Sequence, residues 1–392
     1  FARTGKVNLA VMNMGLYYKK ERNAAGNGTL HHWSMLPRVA EGYKPLKECV
    51  RPDGTVQGWM LHAKCAAAEI DGIPYVTEGY NPVRNKISYA NIAYPRKQGA
   101  AYGYETDADA VWVESLTMIK YGTKSLQKYM RGATAYYLQY TVTVAGTGSK
   151  VILAKANAAQ LVVGSCVSIG DPGSKTDYDR GNAYMHNVVD SAMITAITPV
   201  DDNNTAVYLD CASIATKVGM YVSTMHWRTG STSKVLGYDG SPVSNTDGKN
   251  ICKINEIEIL NGGYSVCGNS VNIMATSSGG TTTVTNYRTD NAKNLTTDLV
   301  KIKQQYTKTG SFPPTNNAWL YIKDMLFDPV GGFMIPKAFG GGETTYWADG
   351  YHTGQNPDAG AETARELLLR GCLHCGGVAG PAFVRASLGV SN

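Results

Sequence analysis

One stretch of this chain repeats apolar residues at helical spacing. Trp112, Leu116, Ile119, Thr123, Leu126 and Met130 alternate at intervals of four and three, the stripe of a single helix face, and predict a helix over residues 108–130. Thr106 or Asp107 can cap its orphan N–H groups, and Asp109 and Glu114 sit towards the positive end of its dipole. Lys128 and Arg131 precede Gly132, the expected terminator.

Around that helix the pattern is one of short strands and turns. Residues 1–105 are rich in Gly, Pro and Tyr, with apolar runs at 7–14 and 59–63 and turns such as Arg51-Pro52-Asp53-Gly54. Between 134 and 228, strand-like runs at 140–145, 151–154, 161–169, 193–197 and 206–209 are separated by Gly146-Thr147-Gly148, Asp171-Pro172-Gly173 and Asp201-Asp202-Asn203-Asn204. Five short strands so spaced predict a small antiparallel barrel or sandwich, read as an insertion between two halves of a larger domain. Strand-like alternation resumes over 250–274 around Ile254, Ile257, Ile259, Tyr264 and Val266, and the Gly/Thr/Ser tract 276–283 reads as an exposed loop. The expected class is therefore α+β and β-rich.

Length and composition bound the function. The 392 residues suffice for two or three domains, and 43% hydrophobic residues can fill real cores. Charged residues make up only 17%, against about 25% in an average soluble domain, while Gly (43) and Tyr (25) are abundant. That balance suits turn-rich β structure and extracellular surfaces. The net charge of +6 is diffuse, with no run of five Lys or Arg, so nucleic-acid binding is not expected. No stretch approaches the roughly 18 apolar residues that span a bilayer, residues 1–20 lack a signal-peptide pattern, and membrane insertion is not expected. The chain begins at Phe1, which suggests that N-terminal residues have been cleaved or left out.

Eight cysteines are scattered at 49, 65, 166, 211, 252, 267, 372 and 375 and read mostly as buried free thiols. Cys372-x-x-Cys375 with His374 between them invites a metal or redox reading. Zinc would need further ligands, of which His352 is the nearest in sequence, and a redox pair belongs at a helix N-terminus rather than after a strand. Both thiols are accordingly expected to be replaceable by Ser without loss of stability. His31-His32-Trp33 reads as a solvated loop, and Glu105, Asp107, Asp109 and Glu114 lack the spacing of a calcium loop and read as helix capping. No Gly-x-Ser-x-Gly elbow or P-loop is present, so no enzyme activity, cofactor or metal is expected.

The end of the chain brings a family likeness. Glu366-Leu367-Leu368-Leu369-Arg370-Gly371-Cys372-Leu373-His374-Cys375-Gly376-Gly377, followed by Ala379-Gly380-Pro381-Ala382-Phe383-Val384-Arg385-Ala386, resembles the close of C-type-lectin-fold proteins. That fold is shared by the formylglycine-generating enzyme family and by phage proteins diversified by retroelements, such as major tropism determinants. The 108–130 helix looks like the family's second helix, and Leu260-Asn261-Gly262-Gly263 through Cys267-Gly268-Asn269 looks like its core strand. The likeness extends to tail or collar proteins in phages of gut bacteria, which carry a stretch resembling Gly132-Ala133-Thr134 to Ser168-Ile169-Gly170, and it covers residues 104–392. The family's last strand, an aromatic followed by Gly-x-Arg, has no counterpart before Gly389-Val390-Ser391-Asn392; either the chain is a fragment or a partner supplies that strand.

What the resemblance implies is a virion protein of a bacteriophage, in the tail or another exposed position. Residues 1–105 would attach it, 106–133 with 229–392 would form a C-type-lectin-like display domain, and 134–228 would be the inserted β module. Receptor contacts would be Cys372, His374, Cys375, Val378, Phe383, Arg385 and Ser387, which alternate in part among Gly and Ala residues on an extended chain. Partners would be a host-cell surface receptor, protein or glycan, together with other virion proteins and further copies of the chain as a homo-oligomer. The competing readings are a structural collar, fibre or head-decoration protein, an oxidase of the formylglycine-generating type using Cys372 and Cys375 with a metal, and, for the last segment itself, a Gly-rich hairpin with its side chains in the core.

Overall fold

The computed structural model of the protein describes residues 1–84, 93–132, 137–234, 248–263, 266–371 and 375–390. In the N-terminal part, β1 (Ala10–Met14) pairs with β5 (Trp59–Ala63), and β3 (Thr29–Ser34), β2 (Tyr17–Arg22) and β4 (Lys44–Pro45) form a second small sheet. A short hairpin follows, β6 (Ala68–Ile70) and β7 (Ile73–Tyr75). The chain is β-rich as expected.

Helix α1 spans Asp107–Tyr121. Its start matches the sequence signals: Thr106 is the N-cap, and Thr106 and Asp109 form a reciprocal capping box. Its end does not. Gly122 adopts φ 64° and donates its N–H to the Met118 carbonyl, closing the helix ten residues before Gly132. The chain then folds back, so that the Tyr121 and Tyr129 rings stack at 4.3 Å. Leu126, in the following 3-10 turn Leu126–Lys128, and Met130, just after it, are buried, while Ile119 is 46% exposed. The periodicity persisted across the break because both segments face the same interior.

Residues 139–225 build a closed antiparallel barrel in the order β10 (Lys150–Ala154), β13 (Asn204–Leu209), β12 (Val189–Pro199), β11 (Cys166–Gly170), β15 (Tyr221–Met225) and β8 (Gln139–Val144). A side pair, β9 (Gly146–Gly148) with β14 (Ile214–Thr216), and a one-turn helix α2 (Lys155–Ala158) complete the unit. Alternation places Val151, Leu153, Val167, Ile169, Ile194 and Val207 in an interior drawn from this unit alone. Register shifts at Ile152/Leu153, Val167/Ile169 and Ile194/Ala196 supply the bends that let six short strands close. The sixth strand, β15, follows Gly219 and was not among the five runs read from the sequence.

After the barrel, β16 (Cys252–Ile254) and β17 (Ile257–Ile259) form a hairpin, and then an eight-stranded sheet follows. Its order is β20 (Thr307–Phe312), β19 (Thr282–Arg288), β18 (Val266–Thr276), β24 (Glu362–Leu369), β25 (Val384–Arg385), β23 (Gly350–His352), β21 (Leu320–Asp328), β22 (Phe333–Phe339). Helix α3 (Leu299–Gln305) precedes β20. The sheet curls until its two edges meet, with Gly310 of β20 lying directly under Ile335 of β22. Within the 276–283 tract, residues 277–281 form the exposed, tight β18–β19 turn, while Thr276, Thr282 and Thr283 already pair in the strands.

Helix α1 lies between two apolar layers. Ala110, Val111 and Met118 face the sheet through Phe327, Ile335, Trp347 and Tyr351, while Trp112, Val113 and Leu116 face Leu16, Leu46, Met60 and Ile254. The N-terminal strands therefore share one core with the helix and the β16–β17 hairpin. Their outer side is different. On the β1–β5 ribbon Met12 pairs with Leu61 and Met14 with Trp59, and the outward residues Ala10, Met12, Met14, Trp59, Leu61 and Ala63 are all exposed and uncharged.

The barrel's entry and exit meet: Leu138 and Thr224 exchange main-chain and side-chain hydrogen bonds at 3.0 Å. Replacing residues 139–223 by a short Gly-rich linker should leave a soluble, folded remainder, since closing that gap costs little entropy. Far-UV and near-UV circular dichroism of the deletion variant check this. Loss of the near-UV signal would mean that the barrel is needed to fold the rest.

Candidate functional site

The C-terminal segment is held from beneath by a buried carboxylate. Asp349, fully buried ahead of β23, accepts from Gln127 Nε2 at 2.5 Å through Oδ1 and from the Ala382 N–H at 2.6 Å through Oδ2, and the Gly380 N–H also points to it. Gln127 donates again to the Gly377 carbonyl. Burial pushes the Asp349 carboxyl up to about 7, against the pull of these donors. Glu114 of α1, buried with neither oxygen hydrogen-bonded, is pushed well up by burial and by Asp349. Two glycines permit the close fit. A Cβ on Gly380 would lie 2.3 Å from Asp349 Oδ1, and one on Gly132 would lie 2.3 Å from the Ala379 carbonyl.

The sequence candidates separate on this scaffold. Val378, Arg385, Ser387 and Cys375 are half-buried, and Arg385 Nε donates to Ser387 Oγ at 2.6 Å. Cys372 and His374 lie outside the described residues. Phe383 is fully buried and packs on Ala379 and Cys375, so it is a core residue and not a receptor contact. The segment is not a continuous strand: residues 376–378 form a 3-10 turn and β25 is two residues long, so strict alternation fails and Phe383 turns inward. The bland reading of a terminal segment with side chains in the core holds at that position.

Cys375 is disulfide-bonded, whereas Cys49, Cys65, Cys166, Cys211 and Cys252 are free, four of them buried. The free-thiol reading holds for these five and is corrected for Cys375. A disulfide constrains the unfolded chain, so replacing Cys375 by Ser is no longer expected to be neutral.

What Phe383 supports is an aromatic residue that the sequence reading passed over. Trp319 is 41% exposed, and its ring stacks on His352 at 4.5 Å and on Phe383 at 5.7 Å, both at 23°. Asn316 and Asn317, both at positive φ, form the turn before it. That turn is pinned by Asn317 N–H to the Gly354 carbonyl (2.8 Å) and by reciprocal bonds between Thr315 and Thr353. Arg385 pairs with His352 in the parallel β23–β25 register. Burial and the Arg385 charge lower the His352 pKa. The result is a fixed, partly exposed indole stacked on a histidine, able to stack in turn on a flat or apolar group and to donate a hydrogen bond through its N–H. The Asn-Asn turn directly ahead of a Trp was the available signal.

His, Cys, Asp and Glu ligand atoms converge at one place among the described residues, Glu48, His62 and Asp109. Of these only Asp109 belongs to the acidic run noted in the sequence. Neither a protein-family description nor a curated protein matches this chain.

The Asp349 carboxyl gives the fold a pH signature. Its folded pKa, about 7, lies above its ordinary 3.8, so its contribution favours folding at low pH and is lost as pH rises from about 4 through 7. Over that window the parent should lose stability relative to Asp349→Asn by up to about 1.4 kcal/mol per pH unit, one proton's worth. Urea unfolding of both proteins at several pH values measures it. Equal slopes would mean that Asp349 is ionised in the fold.

Proposed function

We propose that this chain is a bacteriophage virion protein whose C-terminal half is a C-type-lectin-like display domain that contacts a host-cell surface receptor, protein or glycan. It acts by binding, not by catalysis. The observation that carries the reading is the partly exposed Trp319 indole held over His352 and Phe383, with Arg385 the sheet neighbour of His352. Trp and Arg supply most of the energy in recognition surfaces when they are presented without freedom to reorder. The ties from Asp349 and Gln127 to residues 377–382 provide that rigidity, which is what a scaffold tolerant of changed surface residues requires. The contact surface is accordingly Trp319, Arg385, Ser387 and Val378, with Phe383 as its support.

Trp319→Ala combined with Arg385→Ala should reduce adsorption to host cells at least tenfold, about 1.4 kcal/mol or more, with little change in melting temperature. Phe383→Ala should instead cost about 3–5 kcal/mol of stability. Measuring adsorption and melting temperature on both proteins separates them. Full adsorption by the double variant would place the receptor contact elsewhere.

The N-terminal part serves assembly in this reading, and the ribbon face of Met12, Met14, Trp59 and Leu61 is its contact between copies. An uncharged apolar ladder with Met12 67% and Leu61 60% exposed is unusual on a monomer, and a second identical face meets it without burying charge. Met12→Lys with Leu61→Lys should convert an oligomer into monomers with the fold retained. Light scattering reports the mass, and a monomeric parent protein would overturn the assignment.

A further inference from the structure

Three ligand-type side chains meet where the N-terminal part joins α1. Glu48 comes from the 3-10 turn Lys47–Cys49, His62 from the inward face of β5, and Asp109 from the first turn of α1. Their ligand atoms all lie within 4.8 Å of one another. Two of them are held in place by groups outside the cluster. The capping box fixes Asp109, whose Oδ2 accepts from Thr106 N–H at 2.7 Å and from Thr106 Oγ1 at 2.8 Å, leaving Oδ1 to face His62 Nε2 at 3.6 Å. The His62 ring lies flat on Trp112, 4.1 Å between centroids, and its Nε2 also meets Glu48 Oε1. Support of ligands by surrounding groups is how proteins orient metal-binding side chains.

The cluster is also incomplete as it stands. The His62 side chain is 9% exposed and that of Glu48 11%, and Glu48 Oε2 is buried without a hydrogen-bond partner. Two carboxylates this close are costly to bury unless one keeps its proton, towards which burial and Asp109 push Glu48, or a positive charge joins them. Arg370, near enough to feel Glu48, is paired with Glu105. His62 can supply one charge by holding a proton; a divalent ion supplies two and uses the same inward-facing atoms.

We propose that Glu48, His62 and Asp109 form a structural site for a divalent cation of the zinc class, which clamps the N-terminal strands to α1. One imidazole and two carboxylates are a ligand set that zinc accepts, whereas calcium and magnesium favour oxygen alone and copper(I) favours sulfur. Asp109, 24% exposed, marks the side from which water completes the shell. The site is independent of the receptor reading, since it lies on the opposite end of α1 from the turn that carries Gln127.

Chelator-treated full-length protein titrated with zinc chloride should bind one ion per chain by calorimetry and melt at a higher temperature when loaded. Asp109→Asn, which keeps an oxygen for Thr106 but loses a ligand charge, and Glu48→Gln should each weaken binding at least tenfold. Their melting temperatures in chelator, compared with the parent, show whether they fold. X-ray absorption at the zinc edge of the loaded parent tests the site without any variant, and should show nitrogen and oxygen ligands including one imidazole. No stoichiometric binding, full binding by both variants, or sulfur in the zinc shell would each overturn the proposal, leaving a proton as the cluster's counter-charge.

Discussion

Burial of α1 on nearly every side is the constraint on which the rest of this structure depends. A helix with one apolar stripe covers one layer, but here Ala110, Val111 and Met118 close the curled sheet while Trp112, Val113 and Leu116 close the N-terminal layer. The polar groups that come with such a helix must then be satisfied inside the protein. Its N-terminus meets that demand through the Thr106–Asp109 box, the Asn269 side chain accepting from the Asp107 N–H, and Ser270 donating to the Asp107 carboxylate. Glu114, in the middle, has no such partner, and burial resolves its charge by raising its pKa.

The same economy shapes the C-terminal segment. A chain rich in Gly and Ala has few side chains with which to anchor itself, so its backbone must be held by groups from elsewhere. Asp349 and Gln127 do this through the N–H groups of 380 and 382 and the carbonyl of 377, and the glycines let backbone and carboxylate approach without a Cβ between them. With the backbone fixed in this way, the side chains of Val378, Arg385 and Ser387 lie half-buried along the segment. Phe383 instead fills the space under Trp319 and His352.

The barrel is set apart in two respects. Its interior residues all come from its own stretch of chain, and its two ends meet at Leu138 and Thr224. Contacts across its outer surface include polar ones, such as Ser191 to Asn81 and Arg228 to Asp210, and an apolar one, Val162 with Trp227 and Ile251. An insertion with adjoining ends adds to a domain without altering the path of the surrounding chain.

Local signals were sufficient wherever the physics is local. The capping box at Thr106, the strands between 139 and 209, the turn at 277–280 and the β-rich class all follow from alternation, turn residues and hydrogen bonds that span a few positions. Gly122 is a local signal too, but the apolar spacing from Trp112 to Met130 ran past it, because a helix and a following turn can face one core. Tertiary structure alone decided the rest. Which way Phe383 points, which indole it supports, what anchors Gly377 and Gly380, and the meeting of Glu48 and His62 with Asp109 depend on residues tens to hundreds of positions apart. Sequence spacing is silent on such pairs, since their contact is set by how α1 and the sheets pack and not by any period along the chain.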